Sequence, residues 1–306
     1  MKIVIIGAGA MGSLFGGRLA QAGEEVWLLD VWEEHVAAIR AHGLTLVDTA
    51  AETSIRLNAT TQADAVGQAD LVIIFVKAYA TQAAARTAAG LLGPATTVLT
   101  LQNGLGNAET LAKVLGAERV AVGTTAMGAT LLGPGRIKCG GHGPTHIGSF
   151  SGGATPRLHD IATIFTRAGI PTVVDNNANA LVWGKLIINV GINAITALTG
   201  IPNGQVMANA ETRELVRLAV AEAEAVARAS GISLPAADYF DQVAAVAQAT
   251  RDNRSSMLQD VTHRRRTEID AINGAIVAAG QRLGIPTPVN ETLTLLVKTL
   301  EKTYLV

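Results

Sequence analysis

The feature that most constrains this chain is the junction between an apolar run and a glycine cluster at its start. Lys2-Ile3-Val4-Ile5-Ile6 leads without interruption into Gly7-Ala8-Gly9-Ala10-Met11-Gly12, and a helical pattern follows over Met11–Gln21. The spacing G-x-G-x-x-G alone is common; between a strand and a helix it is the turn that binds a dinucleotide. Gly7 permits the tight turn, Gly9 lets the backbone approach a pyrophosphate, and Gly12 lets helix and strand pack closely. The first N–H groups of the helix, at Ala10 and Met11, then face the phosphates together with the positive end of the helix dipole. The alternative is a glycine-rich turn that binds nothing.

The second apolar run, Glu25–Leu29, ends at Asp30, 18 residues after Gly12. An acidic side chain there accepts hydrogen bonds from adenosine ribose hydroxyls and repels a 2′-phosphate. The next residues, Val31-Trp32-Glu33-Glu34, offer no basic group for such a phosphate. NAD(H) is therefore favoured over NADP(H). The competing role for Asp30 is to cap a helix over Glu33–Ala41.

Strands expected at Lys2–Ile6, Glu25–Leu29, Leu71–Val76, Thr97–Leu101 and Val120–Thr124 alternate with helices at Met11–Gln21, Glu33–Ala41, Thr81–Leu91 and Ala108–Leu115. Continuous apolar strands between helices predict a doubly wound α/β fold of Rossmann type, its parallel sheet covered on both faces. Arg136–Cys139 and Thr145–Ser149 read as an added hairpin-like edge. Beyond Pro171-Thr172-Val173-Val174-Asp175 the pattern is helical: Ala178–Leu198, Ala208–Ser230, Ala236–Thr250, Ser256–Leu283 and Asn290–Thr303. The division expected is residues 1–174 for the dinucleotide-binding domain and 175–306 for an all-helical domain.

Composition narrows the class. Lys plus Arg (24) and Asp plus Glu (25) nearly cancel, which argues against nucleic acid, whose binding rests on neutralising phosphates. The single cysteine, Cys139, excludes a disulfide framework, and no metal site is expected from the spacing of His142 and His146. Hydrophobic residues reach 49% and raise the question of a membrane. The longest apolar stretch, near Leu181–Gly200, contains Lys185, Asn189 and Asn193, each costly against lipid. No signal-peptide pattern opens the chain, so a cytoplasmic protein is expected.

Those three polar residues are the sharpest chemical signal. Spaced by four, they drift only about 40° per step and form one stripe on an apolar helix. Buried polar groups need partners, so the stripe faces a ligand, water or other helices. A lysine in that setting has a lowered pKa and suits a general acid, with two amides able to hold a carbonyl or carboxylate beside it. Lys77 and Gln102-Asn103-Gly104 end two of the strands, where a doubly wound sheet places ligands. For Lys77 the alternative is a snorkelling surface lysine, and for Asn103-Gly104 an ordinary turn. Ser256 with Gln259 also fits a capping box. Arg264–Arg266 reads as a solvated or paired helix face rather than a phosphate site, and Glu268 has no role assignable from spacing.

Together these motifs resemble ketopantoate reductase (2-dehydropantoate 2-reductase) along nearly the whole chain. They are Gly7–Gly12, Val76-Lys77-Ala78, Gln102-Asn103-Gly104, Trp183-Gly184-Lys185 with Asn189 and Asn193, Ser255–Asp260, and Thr267-Glu268-Ile269-Asp270 with Asn273-Gly274. The resemblance implies a C-terminal helical domain similar to that of 6-phosphogluconate dehydrogenase. It also implies reduction of the 2-oxo group of ketopantoate to (R)-pantoate, on the route to pantothenate and coenzyme A. By motif, Lys185 protonates the developing alkoxide, and Glu268 orients Lys185 or bonds the substrate. Asn103, Asn189, Asn193 and Ser256 hold the substrate, while Lys77 and Asn103 lie near the cofactor.

Many members of that family carry a basic residue after the second strand and use NADP(H), whereas this chain has Asp30-Val31-Trp32. Relatives that use NAD include D-2-hydroxyacid dehydrogenases acting on bulky 2-oxo acids, which makes that activity an alternative. A non-catalytic NAD(H)-binding regulatory protein is an alternative of another class. The expected partner is a small 2-oxo acid, and apolar helix faces suit a homodimer through the helical domain.

Overall fold

The computed structural model describes residues 1–48, 51–234 and 238–305. It divides into two compact units: Met1–Gln102 with Asn107–Asn179, and Asn103–Gly106 with Ala180 onward. Each has its own hydrophobic core.

In the first unit the strands are β1 (Lys2–Ile6), β2 (Glu25–Leu29), β3 (Leu44–Val47), β4 (Glu52–Ile55), β5 (Asn58–Thr60), β6 (Ala69–Ile74), β7 (Leu92–Thr100), β8 (Val120–Thr125), β9 (Ala129–Gly133), β10 (Arg136–Cys139), β11 (Thr145–Ser149) and β12 (Thr172–Val174). The helices there are α1 (Ala10–Gln21), α2 (Glu33–His42), α3 (Thr81–Ala89), α4 (Asn107–Leu115) and α5 (Pro156–Arg167). The main sheet has eight strands in the order β12-β11-β8-β7-β6-β1-β2-β5. Every pairing from β5 to β8 is parallel. β1 lies where the order turns back, paired with β2 on one side and β6 on the other, and its carboxyl end is the topological switch point at which such sheets bind ligands. Ile3, Val4 and Ile5 are fully buried, as expected of a central strand covered on both faces.

The expected hairpin-like edge is not one element. β11 joins the main sheet, antiparallel to β8 and parallel to β12. β10 belongs to a second sheet of four strands, β4-β3-β10-β9. Glycine-separated short strands with alternating burial look alike in sequence, and their assignment to separate sheets is made by long-range pairing. The β3, β4, β5 and β9 strands and helix α5 had no counterpart in the sequence reading.

In the second part of the chain lie α6 (Ala178–Thr199), α7 (Gln205–Ala208), α8 (Ala210–Ala229), α9 (Tyr239–Ala249), α10 (Ser256–Thr262), α11 (Asn273–Leu283) and α12 (Pro288–Lys302). The helix expected at Ala236–Thr250 begins at Tyr239 among the described residues, with Asp238 capping Phe240 and Asp241; Ala236 lies outside them. α6 is long and apolar enough to cross a membrane by length and composition, and most of that window is buried inside the protein.

The single helix expected over Ser256–Leu283 is broken in two. α10 ends in a Schellman-type cap: Arg265 N–H donates to Asp260 O at 2.8 Å and Arg264 N–H to Val261 O at 3.0 Å. The residue in the left-handed region is Arg264, φ 54°, where a glycine is usual. With neither glycine nor proline at the break, the periodicity reads straight through it. The Ser256 capping box is also corrected: Ser255 is the cap, its Oγ accepting from Leu258 N–H, which leaves the Ser256 hydroxyl outside the cap.

The chain between α10 and α11 is held from α12. Thr267 N–H donates to the Glu301 carboxylate at 2.6 Å in a buried setting, and Tyr304 Oη donates to Arg265 O at 3.2 Å. Glu301→Ala leaves a buried donor without its acceptor, an expected loss of about 1–3 kcal/mol. Glu301→Gln keeps an acceptor and is expected to lose less; thermal unfolding of the two variants provides the comparison.

Candidate active site

The glycine loop follows β1 at the switch point. Gly7 N–H donates to Leu29 O at 2.9 Å, and its φ of 99° lies in the region that favours glycine. A Cβ on Gly7 would stand 2.6 Å from Val76 N, and one on Gly12 would overlap the Gly7 carbonyl oxygen. The fold itself requires both glycines. Gly9 differs: a Cβ there would meet nothing within 4 Å. No neighbouring protein atom explains that glycine, and the open space in front of the N-terminus of α1 fits a pyrophosphate.

Asp30 is fixed at the end of β2 by two backbone donors. Ala8 N–H donates to Oδ2 at 2.5 Å and Trp32 N–H to Oδ1 at 2.9 Å. The helix-capping alternative fails, because the N-cap of α2 is Trp32 and no side chain caps it. A carboxylate has about four lone-pair sites, so Asp30 retains capacity for ribose hydroxyls. Val31 beside it is 92% exposed.

Lys77 follows β6 at the start of a 3₁₀ turn, Ala78–Ala80, and is half-buried. Gln102 pins this corner: its Nε2 donates to Val76 O at 2.7 Å and to Thr81 Oγ1 at 2.9 Å. Gln102 carries no role in the sequence reading. The signal was its place at a strand end, directly before Asn103.

Within the second unit, α6 turns Leu186, Ile187, Val190, Ala194 and Ile195 into the core. Along its polar stripe Lys185 and Asn189 are half-buried and Asn193 is buried. Gly184 lets Tyr239 approach, since a Cβ would lie 2.6 Å from its hydroxyl. Glu268, buried in the break between α10 and α11, is the partner charge of Lys185. Desolvation lowers the Lys185 pKa from its ordinary 10.5 and the Glu268 carboxylate raises it, leaving it at about 8. Ser255 Oγ and Thr196 Oγ1 share a hydrogen bond of 2.7 Å, which fixes the start of α10, and so Ser256, against the turn of α6 after Asn193.

Asn103 also belongs to this unit, although it follows β7 in the chain. Leu105 N–H donates to Ala271 O at 2.9 Å, and a Cβ on Gly104, φ 86°, would overlap that carbonyl oxygen. Asn103-Gly104 is therefore more than an ordinary turn. It packs on the 3₁₀ turn Ile269–Ala271 that follows Glu268. The structure thus groups Asn103, Lys185, Asn189, Asn193, Ser256 and Glu268 in the second unit and Gly7, Gly9, Ala10, Met11, Gly12, Asp30 and Lys77 in the first.

A switch-point glycine loop with an acidic strand end, and a desolvated lysine with a carboxylate partner, define a nicotinamide-dependent oxidoreductase. Comparison with known proteins gives the same class. Residues 3–152 match the family model described as Ketopantoate reductase PanE/ApbA, and residues 177–301 match the model for its C-terminal part. A 2-dehydropantoate 2-reductase of Halobacterium salinarum is 38% identical over 303 residues, covering 99% of each chain. The crystal structure of a PanE/ApbA family ketopantoate reductase from Ralstonia eutropha superposes with a TM-score of 0.93 at 37% identity, covering both chains fully. That of D-mandelate dehydrogenase with NADH and anilino(oxo)acetate gives 0.92 at 31% identity, again over the full length of both. The chain belongs to the ketopantoate reductase family.

Two glycine substitutions separate fold from ligand. Gly12→Ala is expected to destabilise by about 1–3 kcal/mol or more through overpacking. Gly9→Ala is expected to change stability by less than about 1 kcal/mol, an N-cap effect, yet to weaken NADH binding measured by nicotinamide fluorescence. Lys185 gives a pH signature. Because its pKa is lower folded than unfolded, the unfolded chain binds the extra proton between about pH 8 and 10.5. Its contribution to stability therefore rises with pH across that window, and denaturant titrations of Lys185→Met are expected to lack the rise.

Proposed function

We propose that this enzyme reduces the 2-oxo group of ketopantoate to (R)-pantoate, using NADH, on the route to pantothenate. The observation that carries the reading is the pairing of Lys185, on the α6 stripe, with Glu268, which leaves the lysine pKa at about 8. Bound NADH supplies the hydride. As negative charge builds on the substrate oxygen, the Lys185 ammonium stabilises it and then donates the proton. Glu268 keeps Lys185 protonated near neutral pH and orients it, while Asn103, Asn189, Asn193 and Ser256 hold the substrate carboxylate and hydroxyl. On the cofactor side, Gly7, Gly9 and Gly12 with the N–H groups of Ala10 and Met11 receive the pyrophosphate, Asp30 takes the adenosine ribose, and Lys77 and Asn103 lie near the cofactor.

NAD(H) is favoured over NADP(H) because the fixed Asp30 carboxylate opposes a 2′-phosphate and Val31 offers it no cation. The same feature favours one second reading, a D-2-hydroxyacid dehydrogenase acting on bulkier 2-oxo acids, and the similarity to D-mandelate dehydrogenase with NADH supports it. We place the enzyme in the cytoplasm, following the biosynthetic reductases it resembles. A homodimer through the helical unit is supported by the exposed Leu295 and Leu296 of α12.

Rates for a panel of 2-oxo acids, ketopantoate and phenylglyoxylate included, with NADH and with NADPH, decide among these readings. The expected result is highest kcat/KM with ketopantoate and NADH. NADPH preference refutes the cofactor assignment, phenylglyoxylate preference favours the second reading, and NADH binding without turnover on any acid points to a regulatory protein. Lys185→Ala is expected to lower kcat about 10²–10⁴-fold. Reduction by the wild type is expected to fall as pH rises through about 8, and in Glu268→Gln that limb is expected at lower pH because the supporting charge is gone.

A further inference from the structure

His35 projects from the buried face of α2 and is fully buried in the first unit, outside the glycine loop and the strand-end residues. Its two ring nitrogens have different neighbours. Gly135 N–H, in the turn between β9 and β10, lies 3.0 Å from Nδ1, and Ser13 Oγ lies 3.2 Å from Nε2. A backbone N–H can only donate, so Nδ1 accepts and the ring proton sits on Nε2. Nε2–H then donates toward Ser13 Oγ, which frees the serine proton for the Ala8 carbonyl at 2.7 Å. Ala8 N–H is meanwhile held by Asp30. The chain of donors runs Gly135, His35, Ser13, Ala8, and every link has a fixed direction. Trp32 stacks on the imidazole at 5.1 Å with an 11° tilt, which fixes the ring plane. Burial lowers the His35 pKa, with Asp30 and the Ala8 backbone opposing, and this keeps the neutral tautomer that the relay needs.

Ala8 is the residue between the glycine that turns the loop and the glycine that leaves room for phosphate. Its carbonyl and its N–H are both committed, one through Ser13 and His35 and the other to Asp30. We propose that His35 is a positioning residue for the cofactor: through Ser13 it holds the Gly7–Gly12 loop in its dinucleotide-binding conformation, anchored on the four-stranded sheet at Gly135. Without the relay the loop samples other conformations, and apparent affinity falls with the fraction that remains competent. The inference rests on the loop's binding a dinucleotide and is independent of which one, because the pyrophosphate is common to NADH and NADPH.

The test uses the full-length protein and the variants His35→Phe, Ser13→Ala, their combination and His35→Gln. Dissociation constants for NADH and NADPH come from nicotinamide fluorescence, and exchange of the Ala8 amide is followed with no cofactor present. A neutral buried hydrogen bond corresponds to about a tenfold change. His35→Phe and Ser13→Ala are each expected to weaken both dinucleotides by about that factor, and the combination no more than the larger single effect, as for members of one network. KM for the cofactor rises while kcat at saturation stays within about twofold, the pattern of lost uniform binding. Ala8 exchange quickens, and His35→Gln, whose amide both accepts and donates, recovers much of the affinity. If folded His35→Phe and Ser13→Ala bind both dinucleotides within twofold of the wild type, His35 is only a packing residue and the proposal falls. Should His35→Phe fail to fold, Ser13→Ala alone decides.

Discussion

Placing an ammonium on an apolar helix is costly, and the second unit is arranged around that cost. Lys185 stands on a helix whose other faces are filled by Leu186, Ile187 and Val190. Desolvation in that position disfavours the charged form of the lysine. The Glu268 carboxylate opposes this, and Glu268 lies in the segment that follows the end of the helix at Thr262. Arg264 in the left-handed region ends it, and Glu301 and Tyr304 hold the chain that follows. The charge pair thus stands beside a backbone break that is held by contacts from the C-terminal helix to Thr267 and Arg265.

The first unit is governed by a different constraint, close backbone approach. Gly7 and Gly12 are demanded by the protein's own atoms, whereas Gly9 faces open space. A motif usually read as one feature thus divides into two parts that satisfy the fold and one that leaves room for a ligand. Asp30 joins the two functions. It ties Ala8 to the end of β2 through one carboxylate oxygen and holds Trp32 N–H with the other.

How much of this was legible in the sequence follows from the range of the interactions involved. The strand–loop–helix unit, Asp30 at a strand end and the Lys185, Asn189, Asn193 stripe are local patterns, and they stand where the sequence places them. The break at Arg264 carried no glycine or proline, so the helical period ran through it. The Asn103–Gly106 segment and the turn after Glu268 are far apart in sequence and meet where Leu105 N–H bonds Ala271 O, a packing relation that no spacing encodes. His35 occupies an ordinary core position of α2, and only the two partners at its nitrogens distinguish it from an apolar residue. The four-stranded sheet was illegible for a similar reason: short strands such as Leu44–Val47 acquire meaning from their partners.

The two desolvated bases of the protein show how one physical effect serves opposite ends. Burial lowers the pKa of both His35 and Lys185, and a carboxylate opposes it in each case, Asp30 for one and Glu268 for the other. For a histidine, lowering from 6.5 leaves a neutral ring at physiological pH, and two hydrogen bonds of fixed direction then select one tautomer. For a lysine, lowering from 10.5 to about 8 brings the proton within reach of exchange. Desolvation therefore leaves a neutral side chain where the group begins near neutrality and a group that can still carry its proton near neutral pH where it begins well above it. The ordinary pKa of each residue type, set against desolvation in the same direction, decides what charge each side chain carries near neutral pH.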